Sequence, residues 1–157
     1  MRIDINKAYW EWVDSVTFND PLTISFTCKQ VVDGQSLNEI SLVQNIRHFK
    51  NILNQSVFGN AYARYGKEVK TLFVMEESVN DRLHVHGIID VPSRLGHLSF
   101  NKFIIEAWGK TRFGYRHMKI ERSDDIEGWS RYIMKSRTKK DYSLFIDVIN
   151  SSCFNLC

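Results

Sequence analysis

Four apolar runs along the chain have the composition of β-strands. They are rich in β-branched and aromatic residues, and turn-forming residues lie between them. The runs cover residues 22–32, 70–77, 82–91 and 112–122. Only the polar stretch SVND separates the second run from the third, which predicts that these two strands form an antiparallel hairpin.

A different spacing of apolar residues predicts a helix after the first run. Its apolar positions recur at intervals of four, three and four residues, which places them on one helical face. These positions are Leu42, Ile46, Phe49 and Leu53. Ser36 and Glu39 have the spacing of a capping box. We therefore predict a helix that faces the core over about residues 37–57.

Two more helices are predicted in the second half of the chain. Residues 100–110 place their apolar side chains on one side of a helix, with Ser99 as a candidate N-cap. Residues 123–140 begin with acidic residues and end with basic ones, which suits the dipole of a helix. Residues 58–68, FGNAYARYGKE, predict a loop or a short irregular strand.

The order strand, helix, strand, strand, helix, strand, helix predicts an α+β domain. We expect a mostly antiparallel sheet of about five strands with helices on one face, leaving the other face free for a ligand. A chain of 157 residues has the size of one domain. We therefore assign residues 1–157 to a single domain, with a motif-bearing core over about residues 22–140.

The net charge of +3 is distributed unevenly. Residues 110–140 contain ten Lys and Arg against four acidic residues, a balance of +6, so the rest of the chain carries −3. A basic segment on a nearly neutral body indicates a polyanionic partner, most simply nucleic acid. A solvated face with ordinary lysines explains the segment equally well.

Membrane and disulfide signals are weak. No apolar stretch approaches the roughly 18 residues that a membrane helix needs, and the N-terminal residues MRIDINKAYWEW lack the apolar core of a signal peptide. The three cysteines form no C-x-x-C pair. These features predict a cytoplasmic protein with no membrane partner.

Two histidines one residue apart are the first candidate for chemistry. His84 and His86 lie in a predicted strand, so both project to the same face and can share a metal ion. The preceding strand ends in VMEES, and Glu76, if it faces the histidines, completes a two-His, one-carboxylate set with open positions for water and phosphate oxygens. Two neighbouring surface histidines are the plainer interpretation of this pair alone.

Tyr132 is the second candidate. It lies three residues before Lys135, so the two side chains share one face of a helix. A tyrosine can act as a nucleophile when a nearby lysine and a divalent metal stabilise its phenolate and polarise the electrophile. Tyr132 also belongs to an apolar helical stripe with Ile126, Trp129 and Ile133, so packing in the core is the alternative interpretation.

Taken together, these motifs resemble those of the HUH endonuclease superfamily, in which U is a hydrophobic residue. The stretch LTISFT loosely matches the first motif, and His84-Val85-His86 matches the second in full. Tyr132 and Lys135 match the third motif, Y-x-x-K. Glu76 lies eight residues before the first histidine, about where many members carry a carboxylate ligand.

More narrowly, the chain resembles the rolling-circle replication initiator (Rep) proteins of plasmids and phages. The resemblance implies an HUH/RRM-like sheet and a reaction that nicks and joins single-stranded DNA at a replication origin or hairpin. Glu76, His84 and His86 are then expected to bind Mg²⁺ or Mn²⁺, and Tyr132 to become linked to the 5′-phosphate. Lys135 is expected to orient the phosphate or stabilise the phenolate.

The resemblance also implies where DNA and other partners bind. DNA phosphates are expected to contact the basic residues on and after the last helix, which are Arg131, Arg137, Lys139 and Lys140. Exposed aromatic residues such as Tyr62, Tyr65 and Tyr115 are candidates for base stacking. No GxxxxGK[ST] motif is present, so a host helicase and a host polymerase are the expected partners.

Several alternatives stay open. Relaxases share the H-U-H pair but place their tyrosine upstream, where this chain has Tyr9, and single-tyrosine transposases place it downstream as here. A metal-dependent hydrolase that uses water would leave no covalent adduct. A non-catalytic domain that binds single-stranded nucleic acid would use the histidines only for structure.

Overall fold

The computed structural model describes residues 5–78, 80–134 and 151. The helices and strands lie within these ranges. In chain order they are α1 (Ile5–Ser15), β1 (Pro21–Cys28), β2 (Val31–Val32), β3 (Gln35–Ser36), α2 (Glu39–Phe58), α3 (Asn60–Tyr65), β4 (Thr71–Glu77), β5 (Leu83–Asp90), α4 (His97–Gly109), β6 (Gly114–Arg122) and α5 (Ile126–Ile133). No helix within the described ranges is long and apolar enough to span a membrane.

The main sheet confirms the predicted α+β class. Within the described residues it contains four strands in the order β4-β5-β1-β6, and every neighbouring pair is antiparallel. β4 and β5 form the predicted hairpin. The predicted first strand ends early, at Cys28, because the chain then turns into the small β2–β3 hairpin. Asp33 and Gly34 both have positive φ angles at this turn, as an Asp-Gly hairpin turn requires.

Helices α2 and α4 cover one face of the sheet. The four apolar positions predicted for the first helix are all fully buried in the larger core cluster. At the centre of this cluster Phe26 of β1 stacks on Trp108 of α4, with ring centroids 4.7 Å apart. Phe49 of α2 packs edge-on against both rings. The predicted helix faces therefore form the main core.

The second face of the sheet is divided into an apolar end and a polar end. At the apolar end Val74 of β4 and Ile88 of β5 pack against Val13 of α1 and Ile133 of α5. Apolar side chains on this face have to be removed from water, and the two helices do this. α1 and α5 thus cover part of the face that the sequence predicts to be free for a ligand.

The ends of two helices differ from the prediction. α2 is capped by Asn38 and Ser41, each of which donates its backbone N–H to the other's side-chain oxygen at 2.9 Å. Ser36, the predicted cap, ends β3 instead. α4 begins at His97 after Gly96, so Ser99 lies within its first turn and does not cap it.

Two short helices were not predicted as such. Residues 60–65 form α3 rather than a loop or strand, and this helix ends at Gly66, which adopts the left-handed conformation. Glycines at both of its ends give this segment the composition of a loop. α1 occupies the aromatic N-terminal stretch for which the apolar pattern predicts no element. The predicted last helix is described as far as Met134, and its remaining residues lie outside the described part of the chain.

Candidate active site

The β4–β5 hairpin brings the three candidate ligands to one face of the sheet. Glu76 of β4 pairs with His84 of β5, and Val74 pairs with His86, so the register is that of a regular antiparallel ladder. Because side chains alternate along a strand, Glu76 and both histidines project to the polar end of the second face. Their placement agrees with the alternation in the sequence. Their role as metal ligands stays a prediction.

Glu76 contacts His86 rather than the histidine directly opposite it. The carboxylate Oε2 of Glu76 lies 2.8 Å from Nε2 of His86, a diagonal contact across the two strands. The side chains of His86 and Glu76 are 15% and 27% exposed. The rings of His84 and His86 lie 6.2 Å apart between centroids and are inclined at 68°. This half-buried cluster combines a carboxylate with two imidazoles.

Burial keeps His84 neutral over a wider pH range than usual. Removal of the imidazole from water lowers the pKa of His84, and the positive charge of Arg82 lowers it further. The negative charge of Glu76 acts in the opposite direction. A neutral imidazole has a lone pair that can bind a metal ion. The environment of His84 is thus suitable for a ligand.

Ser25 of β1 forms the third side of the cluster. It pairs with His86 across the β1–β5 ladder, and its hydroxyl oxygen lies 2.9 Å from Nδ1 of the imidazole. Hydrogen bonding of the second ring nitrogen is the arrangement that orients metal-binding histidines. Ser25 is not among the candidate residues predicted from the sequence. The available signal was its position between Thr23 and Thr27, since polar residues alternate along this otherwise apolar strand.

These residues fit a hard divalent metal in the type of their donors, although the donors are not arranged around one point. Two imidazoles and one carboxylate are ligands that Mn²⁺ accepts, and the hydroxyl of Ser25 holds the ring of His86 with Nε2 towards Glu76. As the side chains stand, no three His, Cys, Asp or Glu residues of the described ranges are placed to hold a metal ion. Metal binding therefore requires Glu76 and His86 to exchange their mutual contact for shared ligation.

Tyr132 lies on α5, which packs on the same face of the sheet. Its side chain is 50% exposed, so the apolar stripe of α5 does not bury it in the core. The phenol ring stacks on Trp129, with centroids 5.4 Å apart. Trp129 also contacts the ring of His86 edge-on at 6.1 Å, and its indole N–H donates to the carbonyl of Gly87 at 3.2 Å. Trp129 therefore lies in contact with both the candidate nucleophile and a candidate ligand.

Most of the predicted DNA-binding residues lie outside the described part of the chain. These are Arg137, Lys139 and Lys140, together with the predicted catalytic Lys135. Arg131 is exposed on α5 and forms an ion pair with Glu127 one turn earlier. The structure adds Lys119 of β6, which pairs with Ser25 and hence projects to the same face as the cluster. The basic segment of the sequence thus includes at least one cation beside the candidate site.

Comparison with protein-family models, with curated proteins and with solved structures found no match to this chain. The resemblance to the HUH superfamily therefore stays a prediction from three short motifs.

Proposed function

We propose that this protein is an enzyme that nicks and joins single-stranded DNA with the aid of a divalent metal ion. In this proposal Tyr132 is the nucleophile, and Glu76, His84 and His86 hold Mg²⁺ or Mn²⁺. The fold supports the proposal, because an antiparallel hairpin carries the carboxylate and both imidazoles on one face of the sheet. The motif order of HUH replication initiators is the second support.

The position of Trp129 is the observation that carries the proposal. Its indole contacts His86 on the sheet and Tyr132 on α5. One aromatic ring thus separates the candidate nucleophile Tyr132 from the candidate ligand His86. These two residues lie 46 positions apart in the sequence. The half-exposed phenol of Tyr132, one aromatic ring away from His86, can meet a phosphate that approaches from solvent.

The metal would supply Lewis acidity at a non-bridging oxygen of the scissile phosphate. The protein contributes the negative charge of Glu76 and the neutral imidazole of His84. Ser25 contributes the hydrogen bond that holds the ring of His86 in place. These groups come from three adjacent strands, which gives the site a rigid base.

In the proposed reaction one phosphate ester bond forms as another breaks, so the number of phosphodiester linkages does not change. The phenolic oxygen of Tyr132 attacks the phosphorus and loses its proton, the bond between phosphorus and the 3′-oxygen breaks, and that oxygen takes up a proton. The products are a 5′-phosphotyrosine and a free 3′-hydroxyl. Attack by another 3′-hydroxyl on the phosphotyrosine reverses the step and joins two DNA ends. Lys135 is proposed to stabilise the phenolate.

In its biological setting we propose that the enzyme initiates rolling-circle replication at an origin or hairpin. The 3′-hydroxyl that it releases can prime a host polymerase, and a host helicase is the proposed source of unwinding. Such a role belongs in the cytoplasm of the host cell. Transposition by a single-tyrosine enzyme uses the same chemistry and is the alternative role.

A non-catalytic domain that binds single-stranded nucleic acid is the second candidate function. It is favoured by the direct contact between Glu76 and His86, because this pair already satisfies a carboxylate oxygen and a ring nitrogen without a metal ion. Such a domain would bind DNA without divalent cations. It would also be insensitive to loss of the phenolic hydroxyl of Tyr132.

A covalent-adduct assay tests the proposal. The protein is incubated with Mn²⁺ and labelled single-stranded oligonucleotides from its own genomic neighbourhood, and products are separated on a denaturing gel. We expect a protein–DNA adduct that Tyr132→Phe and His86→Ala both abolish. Tyr65→Phe is the matched control: Tyr65 is 75% exposed on α3 and belongs neither to the ligand cluster nor to α5, and phenylalanine keeps the ring that base stacking would use.

Each other outcome of this assay contradicts the proposal. Cleavage without an adduct would indicate a nuclease that uses water. Binding with no cleavage of any origin-containing DNA would indicate the non-catalytic domain. An adduct that survives Tyr132→Phe would place the nucleophile elsewhere in the chain.

A further inference from the structure

We infer that the exposed face of β6 is a binding site for single-stranded DNA, in which bases stack on Tyr115 and His117 and a phosphate contacts Lys119. The inference rests on the proposed function only for the place of this site along the substrate. All three residues belong to one strand, which lies at the edge of the sheet in the described part of the chain. Two of them offer a flat ring, and the third offers a positive charge.

The register of β6 against β1 determines which side chains share this face. Lys119 pairs with Ser25, whereas the neighbouring Met118 packs against the main core, so Lys119 projects to the second face of the sheet. His117 is exposed and lies on the opposite side of Met118, so it projects to the second face as well. A bulge then interrupts the ladder, and the ring of Tyr115 lies 5.2 Å from the ring of His117 between centroids, inclined at 45°. Bulges commonly redirect side chains at the edge of a sheet.

This part of the second face is open to solvent among the described residues. Tyr115 is 37% exposed, and the side chain of Lys119 is 69% exposed. The apolar cluster under α1 and α5 takes its sheet residues from β4 and β5, so in the described ranges it does not extend to β6. The two rings therefore present a flat surface that a base can stack on.

The charges of β6 favour an anionic ligand. The strand carries three basic residues, Arg116, Lys119 and Arg122, against the single acidic residue Glu121. Nζ of Lys119 lies 3.3 Å from a carboxylate oxygen of Glu121, and both side chains are more than half exposed. Such an exposed ion pair is weak, so Lys119 can exchange it for a phosphate.

Exposed rings beside cations are the combination with which proteins bind single-stranded nucleic acid. Bases stack on the rings and the cations follow the backbone. In a duplex each base is already stacked between its neighbours, so its faces are not accessible to a protein ring. The face of β6 is therefore suited to single strands rather than to duplex DNA.

The sheet connects this face directly to the proposed active site. Ser25 of β1 pairs with His86 of β5 on one side and with Lys119 of β6 on the other. β5 and β6 thus lie two strand spacings apart, which is about 10 Å. Stacked nucleotides rise about 3.4 Å each, so a strand cut at the proposed site reaches β6 within about three nucleotides.

The first test measures binding by fluorescence anisotropy, with labelled single-stranded oligonucleotides from the genomic neighbourhood of the protein and with EDTA present. Tyr115→Ala and Tyr115→Leu should each weaken binding about tenfold, because both remove the ring and leucine keeps its apolar bulk. Tyr115→Phe should bind within about threefold of the wild type. Tyr65→Ala is the matched control, because Tyr65 is an exposed tyrosine on α3. An equal loss in Tyr65→Ala, or no loss in either variant of Tyr115 that lacks the ring, would overturn the inference.

Salt dependence tests the role of Lys119. Loss of one phosphate contact to a single strand should lower the slope of log affinity against log salt concentration by about 0.7. We expect this change for Lys119→Ala and no change for Lys102→Ala, which removes an exposed lysine from α4 on the other side of the sheet. A slope that Lys119→Ala leaves unchanged would overturn the phosphate contact. Tyr115→Ala should not weaken binding to the duplex of the same sequence, and an equal loss there would contradict stacking on single strands.

Cross-linking locates the site along the substrate. Oligonucleotides that carry 5-iododeoxyuridine at one position in turn are irradiated with the protein, and the linked peptide is identified by mass spectrometry. We expect the peptide that contains Tyr115 to be linked from positions within about three nucleotides of the cut. A link to Tyr115 only from more distant positions would overturn the proposed path from β5 to β6, and the absence of any link to this peptide would overturn the site.

These tests separate failure of this inference from failure of the proposed function. A covalent adduct at Tyr132 together with normal binding by Tyr115→Ala would overturn the β6 site and leave the enzyme intact. Weakened binding by Tyr115→Ala without any adduct would support the β6 site and contradict the enzyme. A wild-type protein that binds no single-stranded oligonucleotide would overturn both. Thermal unfolding verifies that each variant is folded, and Tyr115→Leu keeps the binding test decisive if Tyr115→Ala is unfolded.

Discussion

Replacement of Trp129 by alanine separates a positioning role of this indole from a purely structural one. The indole N–H donates to the carbonyl of Gly87, and the ring contacts both His86 and Tyr132. Trp129→Ala removes all three interactions. Trp129→Phe removes the hydrogen bond and keeps an aromatic ring. The pair of variants therefore distinguishes the ring from the N–H.

The expected loss of stability follows from these contacts. One hydrogen bond contributes about 1 kcal/mol. Each aromatic contact contributes about 1 kcal/mol beyond the area it buries. We therefore expect Trp129→Ala to lower the free energy of unfolding by about 3 kcal/mol before the lost apolar burial is added, and Trp129→Phe by about 1 kcal/mol. Urea denaturation measures both values.

For Trp129→Ala we expect a loss of activity that is larger than the loss of stability alone can explain. α5 has only eight residues, so its position depends on packing rather than on intrinsic helix stability. A displacement of Tyr132 by about 1 Å would slow attack on the phosphate by about 100-fold. We expect this reduction in the rate of adduct formation for Trp129→Ala under conditions in which the variant is folded.

Trp10→Ala is the control for this experiment, because Trp10 packs in the same apolar cluster but belongs to α1. It should lower the free energy of unfolding without slowing adduct formation more than about threefold. A folded Trp129→Ala variant that forms the adduct within about threefold of the wild-type rate would refute the positioning role of Trp129. An equally slow Trp10→Ala variant would refute it as well.

Two further predictions concern stability and accessibility. Gly87→Ala would place a Cβ 2.4 Å from the backbone oxygen of Leu72, so urea denaturation should show a loss of about 2 kcal/mol or more, whereas Gly109→Ala meets no atom within 4 Å and should be nearly neutral. Equal effects of the two substitutions would contradict the close packing of β4 and β5. Burial raises the pKa of Cys28 from 9.0 to about 12. With Cys153 and Cys157 replaced by serine, iodoacetamide should label Cys28 at pH 8 only in urea, and rapid labelling of the native protein would contradict its burial. Because the folded-state pKa is the higher one, the stability that this thiol contributes is fully present below pH 9 and is lost as the pH rises from 9 to 12.

Local patterns were sufficient to predict most of the sheet and its main core. Alternation in β5 and the short SVND connection predict the shared face of His84 and His86 and the hairpin, whereas the register that puts Glu76 on that face comes from the structure. The helical spacing in α2 predicts its buried face. These features arise from residues that are close together in the sequence, so local patterns are enough to predict them.

The remaining features depend on contacts between distant segments. The contact of Ser25 with His86 requires the register of β1 against β5, which no local pattern specifies. The position of Trp129 requires α5 to pack on the second face. The apolar stripe of α5 indicates that the helix is buried, but it does not indicate which surface the helix packs against. α3 was missed because glycines at both of its ends resemble loop composition.

The covalent link to Tyr132 is the central claim, and mapping the linked residue tests it most directly. The adduct formed with Mn²⁺ is digested with nuclease and trypsin, and the peptides are sequenced by mass spectrometry. We predict a nucleotide attached through phosphate to the peptide that contains Tyr132, and to no other tyrosine. A nucleotide on Tyr9, Tyr115 or any other residue, or the absence of a linked peptide when the DNA has been cut, would contradict it.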